Sequence, residues 1–107
     1  AQLAALEVIE EGADCRGVDK IARDIINAAG YEGCFGHSLG HGVGLYIHEK
    51  ISLSPKSTGI LTPGNIVTVE PGIYLEGQYG VRIEDMVYIT ENGYENLTHS
   101  KKELIVL

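Results

Sequence analysis

The sequence of 107 residues contains no tryptophan, one phenylalanine and only two cysteines. Cys15 and Cys34 are too few for a disulfide framework and show no CxxC spacing, so we expect reduced thiols in a cytoplasmic protein. No apolar run approaches the ~20 residues of a membrane span, and no charged-then-apolar signal segment opens the chain. Basic residues are also scarce: 8 Lys and Arg oppose 15 Asp and Glu, which gives a net charge of -7 and argues against a nucleic-acid partner.

The remaining composition, with 44 % hydrophobic and 21 % charged residues, is typical of a soluble globular chain. The stronger of two predicted helices follows the i, i+3, i+4 rule and ends at Gly30. Its predicted apolar face contains Val18, Ile21, Ala22, Ile25, Ile26 and Ala29, and its predicted polar face contains Asp19, Lys20, Arg23, Asp24 and Asn27. A weaker helix, with Leu3, Leu6 and Ile9 on one face, spans residues 2–11 and lacks a cap signal. We therefore expect that the chain was cut inside a larger protein.

Short strands and turns are predicted after Tyr31. The β-branched run 66–69 and the longer run 81–89 are joined by a hairpin whose loop is residues 76–78. The apolar run 104–107 is predicted to be a final buried strand. The fold class is α+β, with two helices followed by a mostly antiparallel sheet.

Three of the four histidines, His37, His41 and His48, are interleaved with glycines. A single loop histidine is most often a polar surface residue. Glycines beside an imidazole, however, let the backbone approach a site closely and leave room for a ligand. The segment is therefore a candidate functional site.

Two glutamates lie in the apolar strand patterns. If Leu75 pairs with Tyr79 across the three-residue loop, the same register places Glu70 directly opposite Glu84. Alternation alone could turn either glutamate to solvent, and a bulge at Pro71 would shift the pairing. Like charges so close destabilise a sheet, whereas a divalent cation between them reverses the sign of the effect.

The strand period also places Arg82, one pleat away, on the same face as Glu84. It is a candidate for orienting a carboxylate or meeting a charged substrate end, and a structural salt bridge is the alternative. One imidazole and two glutamates suit Mn²⁺, Co²⁺ or Zn²⁺.

Five stretches, in this order, resemble the pita-bread metallopeptidases, which include prolidase, aminopeptidase P, creatinase and methionine aminopeptidase. They are residues 36–45 (GHSLGHGVGL), 47–49 (IHE), 61–64 (LTPG), 69–74 (VEPGIY) and 80–85 (GVRIED). The fourth and fifth look like the prolidase and aminopeptidase P branch. The resemblance implies that residues 1–107 are the C-terminal portion of the catalytic domain and adopt the C-terminal half of the pita-bread fold.

The resemblance also implies a dinuclear metal site. His41, Glu70 and Glu84 match three of the family's five metal-ligand positions, which hold two divalent ions, with Mn²⁺ expected first and Co²⁺ or Zn²⁺ as alternatives. The metals generate a hydroxide that attacks the peptide bond before proline, and Glu70 is the candidate that shuttles the proton.

Substrate-binding residues are implied as well. His37 and His48 match histidines that line the substrate pocket and stabilise the reacting carbonyl, and both are therefore catalytic candidates. Arg82 matches an arginine that supports the site or contacts the substrate, and Tyr74 is a weaker pocket candidate. The implied substrates are Xaa-Pro peptides, cleaved by a dipeptidase or an aminopeptidase.

The family's two aspartate ligands lie upstream of the helical stretch and have no counterpart here. We therefore expect the chain alone to be inactive and, because it exposes apolar surface meant for the missing half, to form a homo-oligomer. Two alternatives stay open: a non-catalytic pita-bread peptide-binding module and a creatinase-like C–N hydrolase without metal. The three matching ligand residues argue against both.

Overall fold

A computed structural model of the protein describes residues 1–43, 51–100 and 102–103. Its helical part comprises α1 (Gln2–Val8), α2 (Cys15–Ile26) and a π-helical turn (Asn27–Tyr31). The described residues contain these strands: β1 (Gly40–His41), β2 (Ser52–Leu53), β3 (Ile66–Val69), β4 (Gly72–Leu75), β5 (Tyr79–Arg82), β6 (Asp85–Thr90) and β7 (Gly93–Asn96). The predicted α+β class is confirmed. His48 and the predicted strand 104–107 lie outside the described residues. No helix in the described ranges has the length and apolarity needed to cross a bilayer.

Helix α2 begins at the N-cap Asp14, whose side chain accepts a hydrogen bond from the backbone N–H of Arg16. Its buried stripe is Cys15, Val18, Asp19, Ala22 and Ile26. The predicted polar position of Asp19 is therefore wrong: its side chain is buried because Arg23 pairs with both carboxylate oxygens, at 2.9 and 3.0 Å. Ile21 and Ile25, predicted to face the core, are 38 % and 41 % exposed.

Helix α1 is shorter than predicted, and its predicted apolar face is only partly buried: Leu6 and Ile9 are buried as predicted, and Leu3 is not. The helix ends at Val8, and its buried residues are Gln2, Ala5 and Leu6. Leu3, predicted to lie on the buried face, is 58 % exposed. Packing of α1 against α2 and β3 determines which side of the helix is buried. This packing places the polar side chain of Gln2 in the interior.

The sheet register is the one the hairpin predicts. Strands β4 and β5 pair from Gly72 opposite Arg82 to Leu75 opposite Tyr79. Strands β3 and β6 pair from Ile66 opposite Tyr88 to Val69 opposite Asp85. Both antiparallel ladders share one register, so no bulge at Pro71 shifts the pairing between them. Strand β7 adds to the far edge of β6.

Strand β1 approaches β3 very closely. A Cβ at Gly40 would lie 1.7 Å from the backbone oxygen of Thr68, so only glycine is tolerated at this position. The contact is reinforced by backbone hydrogen bonds from Val43 to Ile66 and from Glu70 to Leu39, at 2.8 and 2.7 Å. The glycines of the histidine segment therefore include one that allows a close backbone approach, as predicted.

The two cysteines differ in environment, and this gives a first testable prediction. Burial raises the pKa of the Cys15 thiol, and the nearby Asp14 carboxylate adds to the effect, whereas Cys34 is only half-buried. Because the thiolate is the reactive form, we expect iodoacetamide at mildly alkaline pH to modify Cys34 in the native protein and Cys15 only after unfolding. Peptide mass spectrometry would measure both rates, and equal rates in the native protein would contradict the prediction.

Candidate functional site

The candidate site lies where the two ladders are interrupted, at residues 70–71 on one strand and 83–84 on the other. We call this the strand gap. The backbone N–H of Glu70 turns away from the gap and donates to the Leu39 carbonyl at 2.7 Å. Across the gap, the side chains of Glu70 and Glu84 lie close enough for each carboxyl group to shift the pKa of the other. The predicted juxtaposition of the two glutamates is thus present in the structure.

The two carboxyl groups have opposite pKa shifts. Burial pushes the pKa of Glu70 upward, but hydrogen bonds with Thr68 and Glu84 and the charges of His41 and Arg82 outweigh it, so the pKa is lowered. The hydrogen bond with Glu70, then burial and the charge of Glu70, raise the pKa of Glu84. The two environments therefore favour the ionised form of Glu70 over that of Glu84.

His41 joins this pair through the contact between β1 and β3. Its backbone N–H donates to the Thr68 hydroxyl at 3.0 Å, and the Thr68 side chain helps to lower the pKa of Glu70. The His41 Nε2 lies 3.7 Å from Oε2 of Glu70. Three of the predicted site residues are thereby brought to one place, with Arg82 close enough to act on both carboxylates electrostatically.

One atom of this cluster, Oε2 of Glu70, is suited to contact a cation. Oε2 of Glu70 is buried and has no hydrogen-bond partner, and a buried anionic oxygen without a donor is costly unless positive charge satisfies it. As the side chains stand, no three His, Cys, Asp or Glu residues within 1–43, 51–100 and 102–103 are arranged to hold a metal ion together. The three-residue ligand set stays a prediction.

His37 and Tyr74, both predicted to bind substrate, are in direct contact. The His37 Nδ1 lies 2.7 Å from the Ser38 carbonyl, and its Nε2 lies 2.9 Å from the Tyr74 hydroxyl. Because a carbonyl can only accept, Nδ1 carries a proton and donates it to Ser38, while Nε2 is hydrogen-bonded with the Tyr74 hydroxyl. The Tyr74 ring lies against Gly72, where a Cβ would be 2.8 Å from its hydroxyl oxygen, so the pair sits beside the strand gap.

Residues 1–91 match metallopeptidase family M24. The chain belongs to this family.

Its relatives agree with this assignment in sequence and in fold. The peptidase YqhT of Bacillus subtilis is 51 % identical over 107 residues. The Xaa-Pro dipeptidase from Bacillus anthracis matches with a TM-score of 0.90 at 50 % identity, covering 99 % of this chain and 30 % of that one. The X-Pro aminopeptidase from Thermotoga maritima matches with a TM-score of 0.89 at 42 % identity, covering 99 % and 30 %. The predicted pita-bread fold is confirmed. The chain spans about 30 % of the length of the curated relatives it matches.

Two residues of α2 that support the candidate site, Asp19 and Arg23, were not predicted from the sequence. Arg23 donates to the carbonyls of Phe35 and His37, at 2.8 and 2.9 Å, and its guanidinium lies over the Phe35 ring. Asp19 accepts from the backbone N–H of Leu39 at 3.0 Å. The pair thus fixes the segment that carries His37. The i, i+4 spacing of an acid and a base was a sequence signal for the pair, although not for its burial.

Proposed function

We propose that this chain is part of the catalytic domain of an M24 exopeptidase that hydrolyses the peptide bond before proline, as a Xaa-Pro dipeptidase or a Xaa-Pro aminopeptidase. The observation that carries the proposal is the strand gap. Two carboxylates oppose each other there, and one buried oxygen without a hydrogen-bond partner lies 3.7 Å from an imidazole. The names of the similar solved structures, a Xaa-Pro dipeptidase and an X-Pro aminopeptidase, support the substrate class.

His41, Glu70 and Glu84 are the residues that would hold the metal ions, together with two aspartates from outside this chain. Mn²⁺ is the first expectation for this ligand set, with Co²⁺ and Zn²⁺ as alternatives. When bound, such ions supply a nucleophilic water at neutral pH and polarise the peptide carbonyl. A dication between the glutamates would also offset the repulsion between their two negative charges.

The proton transfers fall to Glu70 in this proposal. Its lowered pKa keeps the carboxylate in the form that accepts a proton, and Oε2 has no competing hydrogen bond. It accepts a proton from the attacking water and delivers it to the departing amine.

Binding and orientation of the peptide fall to the residues around the strand gap. His37, held by the Ser38 carbonyl and by Tyr74, lines the pocket for the reacting carbonyl. The side chain of Arg82 is exposed and is available for a charged substrate end. The proposed role of His48 as a second pocket histidine lies outside the described residues.

The test uses the full-length protein, freed of metal with a chelator and then supplied with Mn²⁺. We expect cleavage of Xaa-Pro peptides only with the metal present, and none of Xaa-Ala peptides of equal length. A dipeptide and a longer Xaa-Pro peptide, assayed in parallel, distinguish dipeptidase from aminopeptidase. The isolated 107-residue chain is expected to give no turnover.

Two alternative functions are outcomes of the same test. Peptide binding without cleavage, and without Mn²⁺-induced thermal stabilisation, would indicate a non-catalytic binding module. Turnover unaffected by the chelator would indicate a metal-independent hydrolase.

Association and location are also part of the proposal. Exposed apolar side chains on α2 and around β5, including Ile21, Ile25, Val81 and Ile83, support a homo-oligomer. Two free cysteines support a cytoplasmic protein.

A further inference from the structure

The side chain of Gln2 crosses from helix α1 to the strand gap. Gln2 is only 6 % exposed. Its amide nitrogen donates to the Val69 carbonyl at 3.1 Å and lies 3.4 Å from the Ile83 carbonyl. These carbonyls belong to the residues immediately before Glu70 and Glu84. The Gln2 amide therefore links the two strands through the carbonyls that directly precede Glu70 and Glu84.

The gap needs this donor because of Pro71. The backbone N–H of Ile83 donates to the Pro71 carbonyl at 3.3 Å, but proline has no N–H to return the bond. The Ile83 carbonyl is thus deprived of its usual partner across the strands. The Gln2 amide, which comes from a different part of the chain, lies 3.4 Å from this carbonyl and takes the place of the missing donor.

We propose that Gln2 is a positioning residue that sets the separation and direction of Glu70 and Glu84. This inference rests on the proposed function, in which those two glutamates hold a metal ion. The bridge fixes one backbone atom on each strand, so the two side chains leave the sheet from points held at a set distance. Groups that orient metal ligands typically change metal affinity by 10–100-fold when they are removed.

The test compares Gln2→Met with Gln78→Met in the full-length protein. Gln2→Met keeps the length and apolar packing of the side chain and removes the donor, while Gln78 is exposed in the turn between β4 and β5. Metal-free protein is titrated with Co²⁺, and affinity and the visible absorption spectrum of the bound ion are recorded. Gln2→Met is expected to bind Co²⁺ about tenfold more weakly and with an altered spectrum, and Gln78→Met to match the wild type.

The outcomes separate this inference from the proposed function. Wild-type affinity and spectrum in Gln2→Met, even with a lowered melting temperature, would show a structural role alone and overturn the inference. Absence of Co²⁺ binding in the wild type would overturn the metal-dependent function and the inference with it. If Gln2→Met does not fold, Gln2→Asn, which keeps the amide on a shorter stem that cannot bridge both carbonyls, replaces it with the same expected result.

Discussion

Replacing Glu70 by glutamine is expected to lower Xaa-Pro turnover by the full-length protein about 10³-fold, within the range that general acid–base groups contribute. The amide keeps the size of the side chain but cannot take a proton from the attacking water. It also places either a neutral oxygen or a donor where Oε2 now lies buried beside His41. Turnover numbers at saturating Mn²⁺ would measure the effect.

Glu76→Gln is the matched control for this experiment. Glu76 is exposed in the turn between β4 and β5, so the same chemical change there is expected to leave turnover within about twofold, as for most surface substitutions. Circular dichroism of both variants would establish that the fold is retained. A well-folded Glu70→Gln protein with wild-type turnover would rule out Glu70 as the proton-transfer group.

Replacing Arg23 by methionine is expected to lower the free energy of unfolding by about 3 kcal/mol. The reason is the carboxylate of Asp19, which is 1 % exposed and would be left buried without its cation. The Phe35 and His37 carbonyls would also lose their donors. Urea denaturation of the full-length protein, monitored by circular dichroism, would measure the change.

Helix α2 offers its own control for the Arg23 experiment. Lys20 and Asp24 form an ion pair with the same i, i+4 spacing, but their side chains are 70 % and 57 % exposed. Exposed pairs contribute little, so Lys20→Met is expected to change the unfolding free energy by less than about 0.5 kcal/mol. Equal effects of Arg23→Met and Lys20→Met would mean that burial of the Asp19–Arg23 pair adds nothing to stability.

The Asp19–Arg23 pair and Gln2 share one task in this fold. Each connects a helix to backbone carbonyls at a proposed site residue. Arg23 donates to the carbonyl of His37 itself, and Gln2 contacts the carbonyls of the residues before Glu70 and Glu84. Hydrogen bonds to the backbone leave the site side chains free for a ligand. The helices thus stabilise the backbone of the site, and their side chains do not occupy the proposed ligand positions.

The sequence by itself determined the central relation of the site. A three-residue loop and the two-residue period of β-strands are local properties, and together they place Glu70 opposite Glu84 before any tertiary contact is known. Helix periodicity and strand patterns likewise sufficed for the α+β class, and the ordered motifs sufficed for the pita-bread resemblance. The hairpin register depends on residues close together in the chain. The motifs are recognised from residue types and their order, for which no structure is needed.

Only the tertiary structure decided which helix faces are buried and which groups support the site. Periodicity indicated Leu3, Ile21 and Ile25 as core residues, yet the structure buries Gln2 and Asp19 instead. Arg23 alone does not complete the set of partners of Asp19. Burial of these polar side chains also uses partners distant in sequence: the Leu39 backbone N–H, 20 residues from Asp19, and the Val69 carbonyl, 67 residues from Gln2. Such pairings leave no periodic trace, because they exist only once the helices dock on the sheet.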